Sequence, residues 1–254
     1  GLLALQPGDT VAAEKYLKQL TDRDFAEADS TRFYLGQIAE EAGRLDEALE
    51  DYDAIVPGSP HYVQGQTRAA ALMARQGRLD AARARLQAVA VSNPKERGSL
   101  LVMEAQLLGE AGQNDAAFQL LDGALANNKD DPDLLYESAM FAERVGKTDV
   151  LERNLRKVIQ LKPDYAHAYN ALGYSLADRN LNLDEANTLI DKALSLAPDD
   201  PFILDSKGWV DFRRGNMNSA VANLHKALML RPDPEIAAHL GEVLWRLGRE
   251  HEGI

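Results

Sequence analysis

Apolar residues recur along this chain at spacings of three and four, in runs that are separated by short polar turns. In the stretch from Tyr165 to Pro198, the Leu172 and Gly173 pair precedes a polar turn, and a second apolar run then passes through Ala186 and Ala193. This spacing is typical of amphipathic helices, and the proline that closes the stretch cannot continue a helix. The stretch is therefore predicted to be two helices joined by a turn.

The turn between two such helices needs a residue with positive φ, which favours glycine or asparagine. Residues of this kind recur with a step of 33 to 35 along the whole chain, at Gly8, Gly43, Gly77, Gly112, Gly146, Asn180, Gly215 and Gly248. Two further series keep the same step. Small residues follow the turns at Ala13, Ala48, Ala82, Ala117, Ala186 and Ala220, and prolines close the second helices at Pro60, Pro94, Pro163, Pro198 and Pro232. Three series in one register predict a repeating pair of helices.

A period near 34 residues with two helices per unit is the signature of the tetratricopeptide repeat, and the chain resembles that family along essentially its whole length. The pattern is best preserved at 171–178 (ALGYSLAD) and 183–186 (LDEA). The resemblance implies an all-α fold, a right-handed superhelical solenoid of helix-turn-helix repeats. Six complete repeats are expected at 29–62, 63–96, 98–131, 132–165, 166–200 and 201–233, with partial repeats at 1–28 and 234–254.

The repeats imply a single solenoid over residues 1–254, which we expect to be a fragment of a longer protein because both ends fall inside a repeat. The segment from Val56 to Pro60 contains two prolines and a glycine, so it is predicted to be a stiff connector and to kink the solenoid near 56–60. Leu151 stands where the other repeats carry alanine. The helices of the fourth full repeat are therefore predicted to be spread or shifted.

Composition narrows the classes of partner. The chain has 254 residues, a formal net charge of −12 and no cysteine. An acidic surface disfavours nucleic acid, which requires a basic face, and it disfavours adsorption to anionic lipid. The missing cysteine excludes disulfides and thiolate metal sites within this chain, and the sequence has no apolar run of about 18 residues that would predict a membrane span.

Motifs of catalysis are absent from the sequence. It contains no glycine-rich phosphate loop, no HExxH and no GxSxG, and no two of its five histidines have the i, i+4 spacing of a helical metal site. Acidic pairs such as Asp199 and Asp200 are interpreted as helix surface and capping residues. We therefore predict no catalytic, metal or cofactor site, and a protein that is not an enzyme.

In the tetratricopeptide family, the first helix of each unit lines a concave groove with its second, fifth, ninth and twelfth positions. Side chains there are expected to be free of the core, so aromatic residues at these positions indicate a binding surface. Phe33 is such a position in the first full repeat, but the aromatic residues concentrate in later repeats. The predicted protein-binding residues are Tyr136, Met140, Asn170, Tyr174, Asp205, Trp209, Phe212 and Arg213. The alternative is that several of them turn inward against the following helix. His167 and His239 are interpreted as ordinary polar surface residues, with a position on the inner surface as the alternative.

Residues 163–250 resemble one group of these proteins more closely, through LGYSLADRNLNLDEANTLIDKAL, APDDPFILDSKGWVDFRRGN and DPEIAAHLGEVLWRLGR. The group consists of long tetratricopeptide lipoproteins of Gram-negative bacteria, which are anchored in the outer membrane and face the periplasm. One type is the adaptor that binds a carboxyl-terminal processing protease and brings it cell-wall hydrolases. The resemblance implies a non-enzymatic periplasmic scaffold that docks such a protease and its substrates, with a lipid anchor outside these residues as its only link to the membrane.

Two alternatives to the protease adaptor stay open. The chain is also compatible with a scaffold for another envelope assembly, such as pilus, secretion or polysaccharide export, and with a cytosolic partner-binding module. A signal peptide and a lipid-accepting cysteine in the full-length protein would favour the envelope, and an assay of protease activation would separate the two envelope functions.

Overall fold

The computed structural model describes residues 28–249, so the predicted turn at Gly8 and the small residue Ala13 lie outside the described residues. Within this range the chain forms thirteen α-helices, one short 3-10 helix (Pro94–Glu96) and no β-strand. The α-helices are α1 (Ala28–Glu41), α2 (Leu45–Asp53), α3 (Tyr62–Arg75), α4 (Leu79–Ser92), α5 (Arg97–Glu110), α6 (Asn114–Leu125), α7 (Pro132–Arg144), α8 (Thr148–Leu161), α9 (Ala166–Asp178), α10 (Leu183–Leu196), α11 (Pro201–Arg213), α12 (Met217–Leu230) and α13 (Pro234–Arg246). The predicted all-α fold is confirmed, and α1 to α12 form the six predicted helix pairs.

The predicted turn residues have the expected backbone conformation. Gly43 has a φ of 73° and Asn180 a φ of 55°, in the left-handed region that reverses the chain after a helix. The same holds for Gly77, Gly112, Gly146, Gly215 and Gly248. The turn between α9 and α10 is one residue longer than the turns of the other helix pairs. Asn182 accommodates this extra residue with a second left-handed conformation, at a φ of 42°.

Aspartate and proline together start three of the first helices. The carboxylate of Asp131 accepts hydrogen bonds from the amides of Asp133 and Leu134, at 3.0 and 3.2 Å. Asp200 caps α11 in the same way, and Asp233 caps α13. In each helix a proline follows the aspartate, at a position where a missing amide leaves no hydrogen bond unmade.

Small residues let the two helices of a pair approach closely. The alanines after the turns are fully buried, at Ala48, Ala82, Ala117, Ala186 and Ala220. On α9, a Cβ added to Gly173 would lie 2.8 Å from Ile190 of α10, well inside the usual contact distance of about 3.5 to 4.0 Å between carbon atoms. Leu151 is fully buried in place of an alanine, and its predicted effect on the helices of its repeat stays a prediction.

The chain divides into two compact units, residues 1–124 and 125–254. In the first unit, α1 packs on α2, α2 on α3 and α3 on α4, around a core that includes Phe33, Tyr52 and Leu72. In the second unit, α7 packs on α8, α9 on α10 and α11 on α12. The first helix α11 also contacts both α9 and α13, so side chains of successive first helices meet.

The connector between α2 and α3 departs from the regular repeat. Helix α2 has 9 residues, whereas α4 has 14, and Gly58 in the connector has a φ of 92°. The kink near 56–60 and the single solenoid over residues 1–254 stay predictions.

Candidate protein-binding site

The eight predicted binding residues all lie in the second unit, on the first helices α7, α9 and α11. Six of them form pairs separated by four residues, which places each pair on one face of its helix: Tyr136 with Met140, Asn170 with Tyr174, and Asp205 with Trp209. We call the surface formed by these pairs, together with Phe212 and Arg213, the first-helix face of the second unit.

Trp209 is the centre of a buried aromatic cluster. It is 6% exposed, and its ring stacks on the imidazole of His239 from α13, with ring centroids 4.4 Å apart and an interplanar angle of 25°. The ring of Phe212 lies 5.2 Å away on the same helix. The expectation that Trp209 is free of the core is therefore wrong, because a side chain of the following first helix covers the indole. Trp209 packs inward instead, as the alternative interpretation of the sequence predicted.

Asp205 and His239 form a shielded pair beside Trp209. Nδ1 of His239 lies 3.0 Å from both carboxylate oxygens of Asp205, and the two side chains are 12% and 9% exposed. Burial lowers the pKa of His239, but the hydrogen bond and charge of Asp205, followed by the charges of Glu235 and Asp178, outweigh it and hold the pKa above its ordinary value. The interpretation of His239 as an ordinary surface residue is wrong, and so is that of Asp205 as free of the core.

Arg213 connects α11 to the end of α9. Its Nε donates to the carbonyl oxygen of Ala177 at 3.0 Å, and Nη2 donates to that of Asp178 at 2.6 Å. These carbonyls belong to the last turn of α9, and that of Ala177 also accepts a hydrogen bond from the amide of Asn180 at 2.9 Å. The guanidinium also lies 5.7 Å from the ring of Trp209. Arg213 therefore holds two first helices of the face together.

Tyr174 lies next to this cluster, with its ring centroid 6.1 Å from that of His239. Burial raises the pKa of Tyr174 well above its ordinary value. Four carboxylates on α7, α9, α11 and α13 add to this effect: Asp178, Glu235, Asp205 and Glu143. The phenol therefore keeps its proton at neutral pH and stands in a strongly negative field.

Three of these four carboxylates are exposed to solvent. Among residues 28–249, neither Glu143 nor Asp178 nor Glu235 forms an ion pair. Desolvation raises the pKa of Glu143, and the charge of Asp178 adds to this effect. The charges of Arg179 and Arg144 oppose it, although the guanidinium of Arg179 is hydrogen-bonded to Glu152 at 2.7 Å. The first-helix face therefore carries an excess of carboxylates around Tyr174.

Tyr136 extends the row of rings onto α7. Its ring meets that of Tyr165 edge-on, with centroids 5.2 Å apart. Burial, followed by the neighbouring Tyr165, Glu137 and Glu143, raises the pKa of Tyr136 to about 12. Met140 lies one helical turn further along and is partly buried. This end of the face thus offers a second phenol beside a flexible apolar side chain.

Two polar atoms on the face have no hydrogen-bond partner in the described part of the chain. They are Nε1 of Trp209, a donor, and Oδ1 of Asn170, an acceptor, and both are buried. Most buried polar atoms in proteins are paired, so each exception requires an explanation. Binding of a polypeptide would supply one, because its backbone presents both carbonyl oxygens and amides.

The corresponding surface of the first unit is internally compensated. Glu40 accepts hydrogen bonds from Arg68 at 2.9 Å and from the hydroxyl of Tyr52 at 3.1 Å, and Arg75 lies 3.5 Å from its other oxygen. Phe33, which the sequence placed on a groove, is 3% exposed and belongs to the core. That expectation is wrong, because the ring packs inward.

The structure brings five of the eight predicted residues together around His239: Tyr174, Asp205, Trp209, Phe212 and Arg213. The prediction missed His239 because it used only the second, fifth, ninth and twelfth positions of each first helix. His239 stands nine residues before its turn glycine, and so does Arg68. Both reach back to the preceding first helix, which makes this position a usable sequence signal.

The chemistry of the face is that of a binding surface, with aromatic rings, hydrogen-bonding atoms and negative charge. Between residues 28 and 249, no group of three or more histidine, aspartate or glutamate side chains is arranged to hold a metal ion. In the same range, no helix has both the length and the apolar character needed to cross a membrane.

Helix pairs with left-handed turns and buried alanines define a helix-turn-helix repeat protein. A family model described as tetratricopeptide repeat matches residues 1–63, and the chain has the fold of tetratricopeptide repeat proteins over its described residues. It is similar to TPR repeat-containing protein PA4667 of Pseudomonas aeruginosa, with 41% identity over 214 residues, which is 84% of this chain and 36% of that protein. The chain thus spans about a third of the length of this relative.

Solved structures show the same fold. A tetratricopeptide repeat protein from Parabacteroides merdae aligns with a TM-score of 0.63 and 21% identity, over 93% of each chain. A thermophilic tetratricopeptide repeat protein of Thermus thermophilus aligns with a TM-score of 0.56 and 26% identity, over 61% of this chain and 86% of that one. Tetratricopeptide repeats are protein-interaction scaffolds, so the first-helix face is the natural place to look for a partner.

Proposed function

We propose that this chain is a non-enzymatic scaffold or adaptor that binds a protein partner on the first-helix face of its second unit. The observation that carries the proposal is the cluster around Trp209 and Tyr174, where partly buried rings adjoin two unpartnered polar atoms. Aromatic residues and arginine most often carry binding energy at interfaces. Their helices are fixed by packing, so little order has to be imposed on binding.

The partner that we propose is a carboxyl-terminal processing protease together with its cell-wall hydrolase substrates. The support is the resemblance of residues 163–250 to outer-membrane tetratricopeptide lipoproteins, one type of which is such an adaptor. These residues include α9 to α13, which carry most of the first-helix face. The full-length protein would then be periplasmic and anchored in the outer membrane by lipid.

Site-specific photo-crosslinking in living cells tests the proposal. A photoreactive residue replaces Tyr174 in one full-length protein and His225, which is exposed on the second helix α12, in a matched control. The expected result is an adduct from position 174 alone that is identified as a processing protease or a wall hydrolase. An adduct from position 225 alone would contradict the first-helix face. Adducts with pilus, secretion or polysaccharide export components would contradict the protease adaptor and indicate a scaffold for another envelope assembly.

A kinetic measurement tests the adaptor role directly. Purified processing protease should degrade a cell-wall hydrolase faster when the full-length protein is added. The acceleration should fall when Tyr174 is replaced by alanine, because the protease or its substrate then loses an anchor. An unchanged rate with the full-length wild type would remove the protease from the proposal.

A further inference from the structure

The carboxylate at one repeat position has opposite surroundings in the two units. Glu40 and Glu143 each stand three residues before the turn glycine of their repeat. Glu40 meets two arginines of the next first helix, Arg68 at 2.9 Å and Arg75 at 3.5 Å. These arginines stand nine and two residues before their own turn glycine. In the first unit, the protein itself therefore supplies the cation for this carboxylate.

The repeat that follows Glu143 has no arginine at these two positions. Ala171 stands nine residues before the turn residue Asn180, and Asp178 stands two before it. The position of Arg68 thus holds a small neutral residue in this repeat, and the position of Arg75 holds an additional carboxylate. Asp178 follows Tyr174 by four residues, so both lie on one face of α9. The second unit has a small side chain and a carboxylate at the two positions where the first has guanidinium groups.

Three basic groups near Tyr174 are already engaged by other partners, and Arg144, next to Glu143, lies over the ring of Phe141. Arg179 donates to Glu152 at 2.7 Å, Arg213 donates to carbonyl oxygens of α9, and His239 is paired with Asp205. Within the described range, three carboxylates near Tyr174 form no ion pair: Glu143, Asp178 and Glu235. This pattern points to a cation that comes from outside the chain.

The unpartnered polar atoms of the face point independently to a bound polypeptide. Trp209 is 6% exposed and its indole Nε1–H has no acceptor among residues 28–249. Oδ1 of Asn170 has no donor, and Asn170 lies one helical turn before Tyr174 on α9. A peptide carrying a basic side chain would bring a carbonyl oxygen, an amide and a positive charge to one surface.

We propose that the first-helix face of the second unit binds a lysine or arginine side chain of its protein partner, held by the ring of Tyr174 and the carboxylates of Glu143 and Asp178. This inference rests on the proposed function and adds the chemistry of the partner. A cation beside an aromatic ring is attracted by the π electrons, and carboxylates add charge-assisted hydrogen bonds. Arg68, which bonds Glu40 beside the ring of Tyr52, shows the same arrangement within the chain.

The test uses acetyl-arginine-methylamide as the probe and its uncharged analogue acetyl-citrulline-methylamide as the control. The indole Nε1 signal of Trp209 in the 254-residue chain is followed by NMR, with the indole of the 60% exposed Trp245 as internal reference. We expect a saturable shift of the Trp209 signal with the arginine probe alone. Asp178→Arg and Ala171→Arg should each weaken this binding about tenfold, because a guanidinium of the chain then occupies the site.

Asp164→Arg is the matched control, since Asp164 is exposed outside the face and the change in net charge equals that of Asp178→Arg. Its affinity for the probe should equal that of the wild type. Equal shifts with the two probes, or equal affinity in Asp178→Arg and the wild type, would overturn the inference. Circular dichroism verifies that each variant is folded. If Asp178→Arg unfolds, Asp178→Asn replaces it, and its affinity for the arginine probe should fall severalfold.

Crosslinking separates this inference from the proposed function. A photoreactive residue at Met140, which lies on the face but is not one of the three proposed cation-binding residues, retains Tyr174. If it captures the partner equally in the otherwise unchanged protein and in Asp178→Arg, recognition of a basic side chain is contradicted and the scaffold function stands. If it captures no partner in the wild type, the proposed function fails. Capture in the wild type alone supports both.

Discussion

The two units of this chain use the same repeat position in different ways. In the first unit, Glu40 is enclosed by Arg68, Arg75 and the hydroxyl of Tyr52. In the second unit, the charge of Asp178 raises the pKa of Glu143, and the positions that correspond to Arg68 and Arg75 hold Ala171 and Asp178. Both repeats have the same turn and the same buried small residues, so the fold does not require either arrangement. The difference shows that the same repeat position can be paired within the chain, as at Glu40, or stand without an ion pair, as at Glu143.

Carboxylates that lie close together without an ion pair repel one another. Glu143, Asp178 and Glu235 are exposed, so water and salt screen part of this repulsion, and no cation within residues 28–249 forms an ion pair with any of them. Local arrangements that oppose stability concentrate at functional sites. The second unit is therefore where partner binding is expected to change stability most.

Replacing Trp209 by alanine should have the largest effect on stability. The side chain is 6% exposed and stacked between neighbours, so the free energy of unfolding of the second unit should fall by about 3 to 5 kcal/mol. Trp245 is 60% exposed, and Trp245→Ala should cost less than about 1 kcal/mol. Denaturant unfolding followed by circular dichroism measures both.

Similar losses for the two tryptophan variants would contradict the structure of the cluster. Hydrogen exchange locates the effect, because Trp209→Ala should accelerate exchange in α11 and α13 and leave the first unit unchanged. Faster exchange in α1 to α4 would show that the two units do not unfold separately.

Replacing Tyr174 by alanine should weaken partner binding more than stability. Affinity for the crosslinked partner should fall about 10- to 100-fold, or roughly 1 to 3 kcal/mol, if Tyr174 is an anchor. Tyr34 on α1 is 42% exposed and provides the matched control in the first unit. Tyr34→Ala should change affinity by less than about twofold, and isothermal titration calorimetry would compare the two. Equal losses of affinity in Tyr174→Ala and Tyr34→Ala would contradict the proposal that the partner binds the second unit.

Exchanging the charge pattern between the units should have a smaller effect. Arg68→Ala leaves Glu40, which is 15% exposed, with fewer partners and should lower the stability of the first unit by about 1 kcal/mol, since Arg68 itself is partly solvated. Ala171→Arg places a guanidinium opposite Glu143 and should stabilise the second unit by a few tenths of a kcal/mol. Thermal unfolding monitored by hydrogen exchange resolves the two units. Destabilisation by Ala171→Arg would show that the position has no room for an arginine.

The repeat architecture follows from local chemistry and was accessible from sequence. Gly43 and Asn180 mark turns because each can adopt positive φ, and Asp131 and Asp200 mark helix starts because their carboxylates cap amides. These signals depend on neighbouring residues only. They fixed the register of every described helix pair.

The details of the site depend on contacts between repeats, which no local pattern specifies. Trp209 matched the groove position, but its burial comes from His239, 30 residues further along the chain. Whether Asp205 faces solvent or pairs with that imidazole depends on how α13 packs on α11. The contrast between Arg68 and Ala171 was visible in the sequence once the repeats were aligned, and the structure supplied the reason to compare them.

The pair of Asp205 and His239 should make the stability of the second unit depend on pH. Because Asp205 holds the pKa of His239 above its unfolded value of about 6.5, folding favours the imidazolium. This contribution is fully present below pH 6.5 or so and is lost as the pH rises through the higher folded pKa. The stability difference between wild type and Asp205→Asn should therefore shrink as the pH rises from about 6 to about 9. Denaturant unfolding at a series of pH values measures the difference, and NMR titration of His239 should show its pKa falling in Asp205→Asn. A difference that grows with pH would mean that the imidazole is neutral in the folded protein, and that Asp205 accepts a hydrogen bond from it without stabilising a charge.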